Sequence, residues 1–221
     1  MSHRAIMLGS IAEGRTTVSG FLEGEDVLAT LSAFREMGVE ITNPQSGRLT
    51  IDGAGLRGLK PPTRVMDVGN SGTSIRLMAG LLAGQSFDSI LTGDQSLLRR
   101  PMARVITPLS QMGAVISSHE GCPPLEIQGG RALSGFHYDM PVASAQVKSS
   151  VLLAGLFAEG RTSVTEPAPT RDHTERMLTG FGYAVDRDQG VISLEGGGSL
   201  HGTDIDIPCL LYTSDAADDV R

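Results

Sequence analysis

The chain switches repeatedly between two hydrophobic periods. Three stretches carry apolar residues at helical spacing and close on a glycine: DVLATLSAFREMG (Asp26 to Gly38), MARVITPLSQMG (Met102 to Gly113) and HTERMLTGFG (His173 to Gly182). Their closing glycines are 75 and 69 residues apart. A second helical pattern precedes each of them: SHRAIMLGSIAEG from Ser2, SGTSIRLMAGLLAG from Ser71 and SAQVKSSVLLAGLFAEG from Ser144. These end at Gly14, Gly84 and Gly160, at intervals of 70 and 76 residues, and are apolar nearly all round. Such helices are predicted to pack together at the centre of a domain, with glycine ending each where the chain reverses.

Strand-like runs fill the intervals. RTTVSGF, DSILTG and RTSVTEP follow the first helix of each set, while GRLTIDG, PPLEIQG and GVISLEG follow the second, each after a shorter strand. A last strand precedes the next helix in TRVMDVGN, FHYDMPV and GTDIDIP, with Asp67, Asp139 and Asp206 spaced by 72 and 67 residues. Matched periods in independent patterns predict an α/β fold of three repeated βαβαββ units around buried helices. The first unit opens inside its helix at Ser2, without the strand that precedes Ser71 and Ser144. After Pro208 the sequence CLLYTSDAADDVR departs from the pattern. The expected division is therefore a domain over 1–208, its first strand missing, with 209–221 an unrelated or disordered tail.

Composition narrows the function. The chain of 221 residues has 18 Lys+Arg against 25 Asp+Glu, a net charge of −7, which argues against a nucleic-acid binder with a basic face. No apolar run is long enough for a membrane span, and the first residues lack a secretory apolar region. Cys122 and Cys209 form neither a disulfide framework nor a metal-ligand spacing, and the five histidines are scattered, so no metal or cofactor is expected and a reducing cytoplasm is the default.

The central helices begin with small polar residues and place a cation within about a turn: Ser2 with Arg4, Asn70-Ser71-Gly72-Thr73 with Arg76, and Ser144-Ala145-Gln146 with Lys148. Helix starts present unpaired N–H groups and the positive end of the dipole, so they favour phosphate or carboxylate. Ordinary N-caps with solvated cations are the plain alternative; three copies brought to one side favour an anion site. Asn70 and Ser71 are expected as caps, and Gly72 admits close backbone approach. Arg99 and Arg100 precede Pro101, a residue suited to a helix start. Arg171 suits a phosphate through its guanidinium fork, whereas Asp172 and Glu175 are expected to support the start of the following helix.

These motifs together resemble the EPSP synthase (3-phosphoshikimate 1-carboxyvinyltransferase) family. The matching segments are SHRAIMLGSIAEG, DVGNSGTSIRLMAGLLAG, LTGDQSLLRRPMARV, PPLEIQGG, PVASAQVKSSVLLAGLFAEGRT and RDHTERML, spread from Ser2 to Pro208. The resemblance implies two domains of three repeated units each, half of an inside-out α/β barrel apiece, of which this chain carries the N-terminal one. It implies transfer of the enolpyruvyl group of phosphoenolpyruvate to the 5-hydroxyl of shikimate-3-phosphate. By the same resemblance, Arg4, Ser144, Ala145, Gln146, Thr170 and Arg171 would hold shikimate-3-phosphate, and Gly72, Arg100 and Gln146 would meet phosphoenolpyruvate. The family's Lys-Ser pair before the Ser2 motif is absent, and Ala145 stands where many relatives carry serine. Its acid and base would lie in the C-terminal domain, so no catalytic residue is expected here and this chain alone should be inactive. A UDP-N-acetylglucosamine enolpyruvyl transferase relative and a stand-alone binding module for phosphorylated metabolites are the alternatives.

Overall fold

The structure, a computed structural model, describes residues 1–208; the expectation for 209–221 lies outside the described residues. The first unit comprises α1 (Ser2–Ile11), β1 (Glu13–Ser19), α2 (Glu25–Glu36), β2 (Glu40–Ile41) and β3 (Leu49–Ala54). The second comprises β4 (Met66–Asp67), α3 (Gly72–Ala83), β5 (Ser89–Thr92), α4 (Ala103–Gln111), β6 (Val115–His119) and β7 (Cys122–Gln128). The third repeats it with β8 (His137–Asp139), α5 (Ala145–Gly155), β9 (Arg161–Thr165), α6 (His173–Gly180), β10 (Asp186–Asp188) and β11 (Val191–Glu195). A last strand, β12 (Asp204–Asp206), follows. The βαβαββ order is the one the sequence pattern predicts.

Three four-stranded sheets result, ordered β12-β1-β3-β2, β4-β5-β7-β6 and β8-β9-β11-β10. In each, the central pair is antiparallel and one edge strand is parallel to its neighbour: β12 to β1, β4 to β5 and β8 to β9. The place of a leading strand in the first sheet is thus taken by β12 from the far end of the chain. Alternation explains the packing: in β7, Pro123, Leu125 and Ile127 are buried while their neighbours face out.

The helices divide into two kinds. Every residue of α3 and α5 is buried, as are nine of the ten in α1. By contrast, α2, α4 and α6 bury one stripe each, such as Val27, Leu31 and Phe34 of α2. Arg76 of α3 meets Gln146 of α5, and one turn on, Gly80 meets Ser150, so the two helices run parallel. A Cβ on Gly80 would stand 2.1 Å from the carbonyl oxygen of Ser150, which is why glycine sits at this crossing. No helix among the described residues is long and apolar enough to cross a membrane.

Two local expectations are corrected. Pro101 does not open α4, which starts two residues later at Ala103 after a short 3-10 turn over Leu97–Arg99. Nor do the glycines of the central-helix pattern share one role. Gly14 lies in β1 and Gly160 follows α5, both with positive φ, but Gly84 caps α3 at φ −89°, where the ring of Phe157 leaves no room for a side chain.

Candidate functional site

The starts of α1, α3, α5 and α6 converge, because side chains from their first turns bond to one another. Ser71 and Ser144 occupy the N-cap positions of α3 and α5 and accept from the N–H groups of Ser74 (3.1 Å) and Val147 (3.4 Å). Ser2 behaves differently: it is already helical, and its hydroxyl accepts from Leu22 N–H at 3.2 Å. Asn70 is not a cap either. Its amide nitrogen donates to Asp94 Oδ2 at 2.8 Å, and its oxygen accepts from Arg100.

Arg4 is 4% exposed and threads between α5 and α6. Its Nε donates to Thr174 Oγ1 at 2.8 Å and its Nη2 to Ser149 Oγ at 3.3 Å. The relay continues inward, Thr174 donating to Ser149 (2.7 Å) and Ser149 to the Ala145 carbonyl (2.6 Å). Each hydroxyl both accepts and donates, so the chain has one direction and fixes the buried guanidinium.

Gln146 lies between helices. Its oxygen accepts from Arg76 Nη1 at 2.7 Å, and its nitrogen donates to Thr73 Oγ1 at 3.1 Å. Only the amide oxygen can accept from a guanidinium, so Arg76 sets the orientation of this side chain. Nearby, Gly72 N–H donates to the Asn70 carbonyl, and Asn70 in turn holds Arg100, tying that arginine to the start of α3. Asp94 completes the tie: hydrogen bonds from Leu97 N–H, first, and the Asn70 amide hold its carboxyl below the usual carboxylate value.

The third cation departs from expectation. Lys148 is 1% exposed and lies 3.0 Å from Glu166 Oε2 and 2.7 Å from Glu175 Oε1. Thr170 donates to the other oxygen of Glu166. Glu175 therefore serves a buried ion pair rather than the helix start. Asp172 sits at the N-cap of α6 without capping it; its carboxylate instead accepts from Arg176 (2.7 Å) and Arg187 (3.2 Å). The three cations are not equivalent positions. They stand five, four and seven residues before the helix glycines Gly9, Gly80 and Gly155, and each has its own kind of partner.

Arg4, Ser144, Ala145, Gln146, Thr170 and Arg171 therefore gather about the starts of α1, α5 and α6, with Gly72 and Arg100 at the start of α3. One feature escaped the sequence reading. His3 Nδ1 lies 3.0 Å from both Thr30 Oγ1 and Ser74 Oγ, which are 2.7 Å apart, joining α1, α2 and α3. A signal existed: His3, Ser74 and Ser149 each stand six residues before a helix glycine.

Nearly the whole chain is similar to proteins of one family. The chain matches the family model described as EPSP synthase (3-phosphoshikimate 1-carboxyvinyltransferase) over residues 1–209. It is 64% identical over 209 residues to 3-phosphoshikimate 1-carboxyvinyltransferase of Alkalilimnicola ehrlichii, covering 94% of this chain and 47% of that one. The Methylococcus capsulatus protein of the same name is 65% identical over 209 residues, covering 94% and 48%. The chain thus spans about half the length of the curated relatives it matches. Among solved structures, EPSP synthase from Acinetobacter baumannii superposes with a TM-score of 0.92 at 60% identity, covering 94% of this chain and 47% of that one. The repeat and the fold agree with these likenesses, and the chain belongs to the EPSP synthase family.

Proposed function

We propose that this chain is the N-terminal half of a cytoplasmic 3-phosphoshikimate 1-carboxyvinyltransferase, a glyphosate target in aromatic amino-acid biosynthesis, and that it binds shikimate-3-phosphate. The observation that carries this reading is the convergence of Arg4, Ala145, Gln146 and the Thr170–Arg171 segment on the starts of three helices. Both substrates of the reaction carry a phosphate and a carboxylate. Helix dipoles, guanidinium groups and an oriented amide are the groups that hold such anions.

In this reading Arg4, braced by Thr174 and Ser149, and Gln146, oriented by Arg76, fix shikimate-3-phosphate so that its 5-hydroxyl faces phosphoenolpyruvate. Arg100, steered by Asn70, and the Gly72 backbone hold the phosphoenolpyruvate side. The transfer delivers a proton to the methylene carbon and removes the hydroxyl proton as the hydroxyl oxygen joins the adjacent carbon; loss of a methyl proton then reforms the methylene as phosphate leaves. Guanidinium groups, amides and hydroxyls hold charge but do not exchange protons readily near pH 7. Those proton transfers therefore fall to a C-terminal domain, and the present chain binds without turning over.

Calorimetric titration with shikimate-3-phosphate, phosphoenolpyruvate, UDP-N-acetylglucosamine and inorganic phosphate tests the reading. Binding of shikimate-3-phosphate alone, weakened by salt and reduced about tenfold or more in Arg171→Ala, is the expected result. Preference for the nucleotide sugar, or equal response to plain phosphate, would overturn it.

A further inference from the structure

Glu166 directly follows β9, and the residues from Glu166 to Asp172 form a strap leading to α6. Pro167 and Pro169 stiffen this strap by fixing φ. It carries Thr170 and Arg171. The Glu166 carboxylate ties it down twice over, one oxygen accepting from the Thr170 hydroxyl and the other lying 3.0 Å from Lys148 Nζ. Lys148 belongs to the central helix α5, and its second carboxylate neighbour, Glu175 at 2.7 Å, belongs to α6. One buried ammonium thus fastens both the strap and the helix that the strap enters.

A threonine hydroxyl has a single proton. Given to Glu166, it leaves Thr170 only lone pairs for any further partner, and lone pairs repel a phosphate oxygen. Phosphate recognition then falls to the N–H and guanidinium donors that the strap carries, Arg171 foremost. We infer that Glu166 is a positioning residue which, through the Lys148–Glu175 pair, fixes the strap that presents Arg171 to the substrate phosphate. The identity of that phosphate rests on the function proposed above; the anchoring does not. Removing Glu166 leaves Lys148 paired with Glu175, so the charge balance of the core survives.

Hydrogen exchange and calorimetry on the full chain, compared among wild type, Glu166→Ala, Glu166→Gln and Thr170→Val, provide the test. Glu166→Ala is expected to speed exchange of amides between 166 and 173 about tenfold or more, while α3 and α5 keep their protection. It should weaken shikimate-3-phosphate binding roughly tenfold. Thr170→Val should loosen the strap similarly. Glu166→Gln, whose carbonyl still accepts from Thr170, should retain part of the order. Adding Glu166→Ala to Arg171→Ala should cost no further affinity, a coupling that a purely structural role would not produce. Unchanged exchange in Glu166→Ala would overturn the anchor, and unchanged affinity with a loosened strap would overturn the positioning role. A wild-type chain that ignores shikimate-3-phosphate would overturn the function proposed above, leaving exchange to decide the anchor.

Discussion

The two ends of the central helices obey opposite rules. Toward their C-terminal ends, Leu8, Ile11, Leu81, Leu82, Leu152 and Leu153 pack at 0–1% exposure, and these aliphatic side chains fit one another by shape. At the starting end, Arg4, Arg76, Gln146 and Lys148 are also buried, at 1–9% exposure, yet each must keep polar partners. Burying an ion that is not matched costs several kcal/mol, so a fold built only for stability would fill both ends alike. The starting end nonetheless keeps buried, partnered polar groups that the other end lacks, as the anion-binding role proposed above requires.

The largest expected effect comes from unbalancing the polar end. Lys148→Met leaves the Glu166 and Glu175 carboxylates without their shared ammonium, with Arg187 3.9 Å from Glu175 as the cation that remains near, and should lower stability by about 3–5 kcal/mol in urea titrations. Adding Glu175→Met should recover only part of that loss, because Glu166, 3.0 Å from the lost ammonium, still lacks its cation; a single variant as stable as wild type would erase the contrast between the ends. Next comes Gly80→Ala in the apolar half, which forces α3 and α5 apart. It should cost about 2–3 kcal/mol while leaving the affinity of the folded protein for shikimate-3-phosphate within about twofold. Equal losses of affinity from both ends would show that the division is not functional.

A smaller effect is expected from Gln146→Ala, which removes one acceptor from the buried Arg76 guanidinium. A loss of about 1.5–3 kcal/mol in stability, with a parallel loss of affinity, would place Gln146 in both roles. The smallest concerns acid. Burial pushes the Asp172 carboxyl up, but hydrogen bonds from Arg176 and Arg187 outweigh it and leave the group below its ordinary value of 3.8. Its stabilisation is therefore present above that value and lost as pH falls through the lower, folded one. Asp172→Asn should flatten the acid side of the melting-temperature profile below about pH 4 and change little at pH 7, measured by thermal melts across pH.

The architecture was legible because each unit punctuates itself. Gly38, Gly113 and Gly182 adopt positive φ just past α2, α4 and α6, so the sequence marks where those helices must end. Burial on all sides of α1, α3 and α5 was largely legible from their nearly all-round apolar character. Partner choice was not. Glu175 has the spacing of a capping residue, and only the approach of the start of α6 to the start of α5 brings it to Lys148, 27 positions earlier. Asn70 likewise has the composition of a cap, but Asp94 and Arg100 from the following loop claim its amide. Local sequence sets which residues can form a site, and tertiary contact decides which of them spend their hydrogen bonds on one another.

The closure of the first sheet by β12 has a temporal side. In the third sheet, β8 joins β9 across a separation of 26 residues, as in the pair His137 and Ser163. In the first sheet, Ser19 meets Asp206 across 187 residues. On a chain that emerges from the ribosome from its beginning, the sheet whose strands appear first is the one completed last. Its β1 edge lacks β12 until nearly all of the described residues have been made, and an edge without its neighbour is where strands of other molecules add. Synthesis rate and chaperone access should therefore matter more for the first unit than for its two near-copies, although the finished sheets share one design.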